Sequence, residues 1–200
     1  KNNKNMIDKL LEIIGEDKHT NPTTTSNKFK SDLYNFCKLE FGKELATTAV
    51  EFGTHRGQTT FILAEIFDLV HTCNFPGNFE KAMELNAKHD NINYVGIDLY
   101  KTDVQQPFTT NIIDLFLIDA GHSYDNVMTD FTRATYMNTA SSCYFVFDDY
   151  GLIPEVKRAI NDLIWVGKLE VIKHIGHEPN YDFRNGRVLS DWEGVICKLV

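Results

Sequence analysis

Short apolar runs and helix-period segments alternate in this chain from Thr47 onward, and no other feature narrows its fold so far. "TTAVEFG" (47–53) has the composition of a strand, and "GQTTFILAEIF" (57–67) the spacing of a helix that begins in a glycine turn. "LVHTCNF" (69–75) reads as a second strand, "NFEKAMELNAKH" (78–89) as a polar helix and "INYVGID" (92–98) as a third strand. The run "IIDLFLID" (112–119) is almost continuously apolar, as befits a central parallel strand covered on both faces. Ser123 is placed to cap a helix with apolar spacing at Tyr124, Val127, Met128 and Phe131. "CYFVFDD" (143–149) is a fifth strand, and Pro154 opens a helix whose apolar face is Val156, Ile160, Leu163 and Ile164. "KLEVIKHIG" (168–176) and "WEGVICKLV" (192–200) close the chain as an expected antiparallel hairpin at one edge. Alternation of this kind specifies an α/β fold with a doubly wound, mostly parallel sheet.

The 200 residues, 42% of them apolar, suffice for one well-packed domain over 1–200 and not for two sizeable ones. Residues 1–46 are expected to form an N-terminal helical cap, with "KSDLYNFCKLEF" (30–41) covering the sheet or the acceptor side, and 47–200 the α/β core. The polar start, with Lys1 and no initiator Met, leads us to expect a domain cut from a longer protein. A net charge of −8 disfavours nucleic acid and anionic membrane surfaces, which reward clustered Lys and Arg. No apolar run approaches the length of about 20 residues that spans a bilayer. Cys37, Cys73, Cys143 and Cys197 are scattered without a C-x-x-C and read as buried thiols of a reducing, cytoplasmic compartment.

In doubly wound sheets ligands bind outside the carboxyl ends of the strands. That rim is where Glu51, Gly53, Asn74, Asp98, Asp119, Asp148 and Asp149 fall. "EFGTHRG" (51–57) has the form E-x-G-x-x-x-G, with glycines where a strand turns sharply and a ligand approaches the backbone. It lacks the middle glycine of the dinucleotide fingerprint G-x-G-x-x-G. By itself the loop is as compatible with a tight structural turn as with a cofactor site.

"AVEFGTHRGQTT", "LFLIDAGHSYDNVMTDF" and "YFVFDDYGLIPEVKRAI", in that order over about 48–165, resemble the class I S-adenosylmethionine-dependent methyltransferases. The branch they resemble contains the metal-dependent sugar and macrolide O-methyltransferases. More loosely, the chain is similar to methyltransferase domains fused to glycosyltransferases in glycan-building proteins, including those of large DNA viruses, which would place it in a host cytoplasm. The resemblance implies seven strands with the last antiparallel. It also implies that Glu51, Gly53, Thr54, His55 and Gly57 surround the methionine part of the cofactor, and that amides near Thr59 and Thr60, at a helix N-terminus, hold its carboxylate. Asn74 stands where the family carries an acid for the ribose hydroxyls, and Asp98 matches the position beside the adenine. Asp119, Asp148 and Asp149 match the metal ligands, an all-oxygen set suited to Mg²⁺ or Mn²⁺.

Methyl transfer to an alcohol requires a base, for which His122 and Asp119 are the candidates; a capping or structural role for His122 weighs equally. The implied acceptor is a small molecule or glycan carrying a vicinal diol, a sugar such as rhamnose. A homodimer and fused glycosyltransferase domains are carried as open arrangements. Blander readings cover His71 as packed or edge-exposed, Tyr124, Phe131 and Tyr136 as core, Trp165 and Trp192 as packing for the closing strands, with Trp192 alternatively near a sugar, and His177, Tyr181 and Arg184 as part of a loop over 176–190 that is either plain surface or shapes acceptor recognition. Two other functions compete: a metal-using glycosyltransferase whose paired Asp bind a nucleotide diphosphate, and a non-catalytic scaffold that keeps the fold.

Overall fold

The computed structural model of the chain describes residues 5–44, 46–101, 112–138, 142–183 and 186–200. Seven strands form one sheet: β1 (Thr48–Phe52), β2 (Leu69–Asn74), β3 (Ile92–Gly96), β4 (Leu115–Ile118), β5 (Tyr144–Phe147), β6 (Leu169–Ile175) and β7 (Gly194–Leu199). Their order is β3-β2-β1-β4-β5-β7-β6, and β7 alone runs antiparallel to its neighbours β5 and β6. This is the doubly wound, mostly parallel sheet with an antiparallel last strand that the sequence led us to expect. The hairpin is arranged so that β7 slots in beside β5 and β6 takes the edge. Burial explains the order: Val195, Ile196 and Cys197 are fully buried, whereas Glu170 to Lys173 of β6 are exposed. An irregularity between Val171 and Lys173 disrupts the β6 ladder and blunts that edge against further pairing.

Period-two alternation divides the apolar strands between two cores. Val50, Phe52, Phe116, Ile118, Phe145 and Phe147 face one side of the sheet, where α5 (Tyr124–Met137) and α6 (Pro154–Trp165) cover them. Ala49, Leu115, Leu117, Val146 and Ile196 face the other, under α1 (Met6–Ile14), α2 (Asn27–Glu40) and α3 (Gln58–Ala64). Phe145 is the centre of the first core, stacked on Phe116 at 5.4 Å and against Phe131 at 5.1 Å.

Several elements are shorter than the sequence suggests. The helix expected over 57–67 ends at Ala64 because the amides of Ile66 and Phe67 both return to the Leu63 carbonyl, a tightened last turn. The polar helix of 78–89 contracts to α4 (Glu80–Leu85), and the strand of 112–119 to Leu115–Ile118. The helix expected over 30–41 instead begins at Asn27, where Ser26 Oγ accepts from the Phe29 amide at 3.0 Å. Ser123 caps α5 as expected, accepting from Asn126 N at 3.2 Å. All four cysteines are free and buried. Two aromatic expectations fail: Tyr136 is 81% exposed because it lies off the stripe marked by Val127, Phe131 and Ala134, and Trp165 is 86% exposed at the end of α6. Trp192 does pack the closing strands, stacked at 6.0 Å on His174. Arg184 lies outside the described residues.

The sheet changes winding direction between β1 and β4, and there the backbone fits tightly. Gly53 has φ +104, and a Cβ on it would stand 1.9 Å from the Asp119 carbonyl oxygen. Only glycine lets β1 leave the sheet beside the end of β4. Gly53→Ala is therefore expected to cost about 2–4 kcal/mol through strain and overpacking. Urea unfolding of the variant checks this, and an unchanged midpoint would show that the loop can shift freely.

Candidate active site

At the carboxyl end of β1, Glu51 is fully buried. It accepts hydrogen bonds from the hydroxyls of Thr59, Thr60 and Thr72, the last at 2.6 Å. Burial pushes its carboxyl up to about 7, although the three hydroxyls favour the ionised form. Glu51 thus ties the start of α3 and the neighbouring β2 beneath the loop, and lies below the cavity wall. Thr54 is buried with it, its hydroxyl 2.6 Å from that of Thr72. Gly57, at φ +74, is clamped from α4, where Asn86 Nδ2 donates to its carbonyl at 2.9 Å. Thr54 and Thr59, which brace the loop, also line a small recess beside Gly53, His55 and Asp119.

Above the loop lies a cavity of about 770 Å³, within the ~300–1,000 Å³ usual for small-molecule sites. One end is walled by Cys73, Asn74, Phe75, Ile97, Leu99 and Tyr100, the other by Lys18, Asp119, His122, Asp148, Asp149 and Ile153, with Gly53 and His55 between. Asn74 lies on the wall as expected. Asp98 does not; its Oδ1 turns back to accept from Tyr100 N at 3.1 Å, so Ile97, Leu99 and Tyr100 present themselves instead. The Tyr100 hydroxyl donates at 3.2 Å to Asp130 of α5, whose carboxyl burial raises to about 7.

The three strand-end aspartates do not behave alike. Asp119, His122 and Asp149 bring one donor atom each within 4.8 Å of one another. His122 Nε2 lies 3.4 Å from Asp119 Oδ1 and 3.6 Å from Asp149 Oδ2. The contact with Asp119 raises the imidazole pKa, against the opposing effect of burial, and burial raises that of Asp119 itself. Asp148 also lines the cavity, but its Oδ2 lies 3.6 Å from Lys18 Nζ and its buried Oδ1 has no hydrogen-bond partner among the described residues. The lysine also approaches Asp149 Oδ1 at 3.0 Å and Glu193 Oε1 at 3.7 Å. Burial alone would depress the Lys18 pKa, but the charges of Asp148, Asp149 and Glu193 more than offset it and push it up, so the ammonium persists. His55 and Asp149 both adopt left-handed backbone, φ +45 and +58, as do Ala46 and Asn180 away from the cavity.

Lys18 and Glu193 went unread in the sequence because nothing local distinguishes them. Lys18 sits in a polar stretch 131 residues from Asp149. Tyr100 was overlooked for a similar reason, as it follows the third strand without periodic pattern. The donor set Asp119, Asp149 and His122 can hold one divalent ion, two carboxylate oxygens and an imidazole suiting Mn²⁺ as well as Mg²⁺.

A family model described as a methyltransferase domain matches residues 50–150. No curated protein matches the chain in sequence. Among solved structures, the O-methyltransferase TomG from Streptomyces achromogenes, involved in tomaymycin synthesis and in complex with S-adenosylmethionine, aligns with a TM-score of 0.63 at 16% identity, covering 98% of this chain and 90% of that one. An O-methyltransferase from Bacillus cereus, in complex with SAH, aligns with a TM-score of 0.66 at 14% identity, covering 98% and 91%. These likenesses are ones of fold.

Glu51 offers a test of the loop. Its carboxyl releases a proton near 4.5 in the unfolded chain and near 7 in the folded one. The stability it contributes is therefore present below 4.5 and lost as pH rises through 7. At about 1.4 kcal/mol per unit the loss approaches ~3 kcal/mol. Glu51→Gln is expected to gain on the wild type by that order between pH 4.5 and 8 in paired denaturant titrations. Parallel pH dependences would show that Glu51 is ionised in the folded state.

Proposed function

We propose, from the premise that the chain belongs to the methyltransferase-domain family, that it transfers the methyl group of S-adenosylmethionine to a hydroxyl oxygen of a sugar in a glycan or glycoconjugate, with a divalent ion assisting. The observation that carries this reading is the grouping of Asp119, His122 and Asp149 at one end of a cavity whose other end is lined by Asn74, Ile97, Leu99 and Tyr100. The latter end offers the apolar walls and the amide that an adenosine needs. The former offers the ammonium of Lys18 against the carboxylates, and Thr23, Thr24 and Arg187 also line the cavity, a polar lining that suits a polyol acceptor better than an apolar one.

Sulfonium-to-oxygen transfer is an in-line displacement, and a neutral alcohol is a poor nucleophile. Asp119 orients the His122 imidazole and stabilises its protonated form, so Nε2 can take the acceptor's proton as the new C–O bond forms. Asp149 Oδ2 approaches the same Nε2 at 3.6 Å and adds to the negative field that favours the imidazolium. Gly53 lines the cavity where β1 leaves the sheet, and the Glu51 network keeps the loop in place so that the methyl group and the acceptor oxygen meet in line. An ion held by the carboxylates of Asp119 and Asp149 would favour the deprotonated form of the acceptor hydroxyl and align it with a neighbouring one, leaving His122 Nε2 to take the proton.

Isothermal titration with S-adenosylmethionine, followed by a mass-spectrometric screen of sugar acceptors for the gain of one methyl group, tests the reading. Saturable cofactor binding and a methylated sugar are expected; no cofactor binding would remove the proposal. His122→Ala is expected to lower kcat by about 10²–10⁴-fold with cofactor binding retained. Near-normal turnover in that variant would assign proton removal to Asp119.

A further inference from the structure

The segment between α1 and α2 crosses the carboxyl rim of the sheet and is fastened there at several points. Glu16 pairs with Arg56 and hydrogen-bonds Gln58, both from the glycine loop and the start of α3. Buried Lys30 of α2 donates to the Glu16 carbonyl at 2.7 Å. Ser26 donates from its hydroxyl and its amide to Glu193, at 2.6 and 3.0 Å. Between these anchors the chain delivers Lys18, 3% exposed, onto the carboxylates of Asp148, Asp149 and Glu193. Asp149 is thereby divided: Oδ1 is held by the ammonium while Oδ2 faces His122. Asp148, a residue of the cavity lining, is left with Oδ1 buried and without a hydrogen-bond partner among the described residues, an arrangement that calls for a further donor or cation.

On the methyl-transfer reading, we infer that Lys18 is a positioning residue. Its ammonium is a resident monovalent cation on the Asp148, Asp149 and Glu193 side of the cluster; it restricts the site to one divalent ion and aims Asp149 Oδ2 at His122 and Asp119. Ammonium is a compact point charge with three rotatable donors, so it compensates the carboxylates from the side and leaves the Asp119 edge open. The N-terminal segment is in consequence part of the reaction site and not only a cover for the sheet.

The test uses Lys18→Met, which keeps an unbranched side chain one atom shorter and removes its charge, and Lys18→Met/Asp148→Asn, which also removes one opposing carboxylate. Bound Mn²⁺ is counted by electron paramagnetic resonance of the free ion, S-adenosylmethionine binding by calorimetry and turnover with an acceptor sugar. Lys18→Met is expected to bind one more equivalent of Mn²⁺ than the wild type, to keep its cofactor affinity and to lose roughly 10–100-fold in kcat, as for residues that orient ligands from behind. The double variant is expected to return to the wild-type Mn²⁺ count. A Lys18→Met protein with the wild-type count and turnover would overturn the assignment. So would failure of both variants to fold in the presence of Mn²⁺, because a divalent ion would then be unable to stand in for the ammonium. A wild-type chain that binds no S-adenosylmethionine would instead overturn the methyl-transfer reading, with the Mn²⁺ counts still deciding the place of Lys18.

Discussion

Carboxylates gathered at the ends of neighbouring strands must be compensated, and the upper half of this molecule is organised around that requirement. Asp148, Asp149 and Glu193 are each buried, and like charges at this spacing in a poorly solvated site repel strongly. Lys18 supplies the opposing charge from a segment far away in the chain. To hold the ammonium there, that segment is itself tied to the glycine loop through Glu16 and to β7 through Ser26 and Glu193. Charge compensation thus links the N-terminal helices, the loop after β1 and the antiparallel strand into one rim.

Another buried acid, Glu51, is handled differently. It has no cation, only three threonine hydroxyls, and burial raises its pKa to about 7. Its role follows from position: the hydroxyls come from α3 and β2, so one carboxyl fastens the helix that follows the loop to the strand beside it. With Gly53 pressed against the end of β4, the loop has little freedom to move relative to Asp119. A ligand held by the loop therefore meets the Asp119–His122–Asp149 group at a distance set by the sheet, which is what an in-line displacement requires.

Much of the architecture was legible in advance, because a parallel sheet buried on both faces leaves a strong mark on composition. "IIDLFLID" and "CYFVFDD" proved to be β4 and β5, and their alternating residues feed the two cores. The carboxyl-end rule located the cavity, and Gly53, His55, Asn74, Asp119, His122, Asp148 and Asp149 line it. Less legible was the direction of each side chain. The hydroxyls of Thr59 and Thr60 turn to Glu51, and Asp98 turns to its own neighbour's amide. Element ends also escaped, since they depend on single hydrogen bonds such as those returning to Leu63.

By itself the sequence determined the fold class, the strand ends that carry the polar residues and the glycines that the first loop requires, because apolar periodicity and positive φ are local demands on residue type. Tertiary structure alone decided which carboxylates share a cation. Lys18, Asp149 and Glu193 are distant in the chain and meet only when the segment before α2 crosses the rim, an encounter that no residue spacing encodes. It likewise decided that β7 enters beside β5 while β6 takes the edge, a matter of which strand could bury both faces.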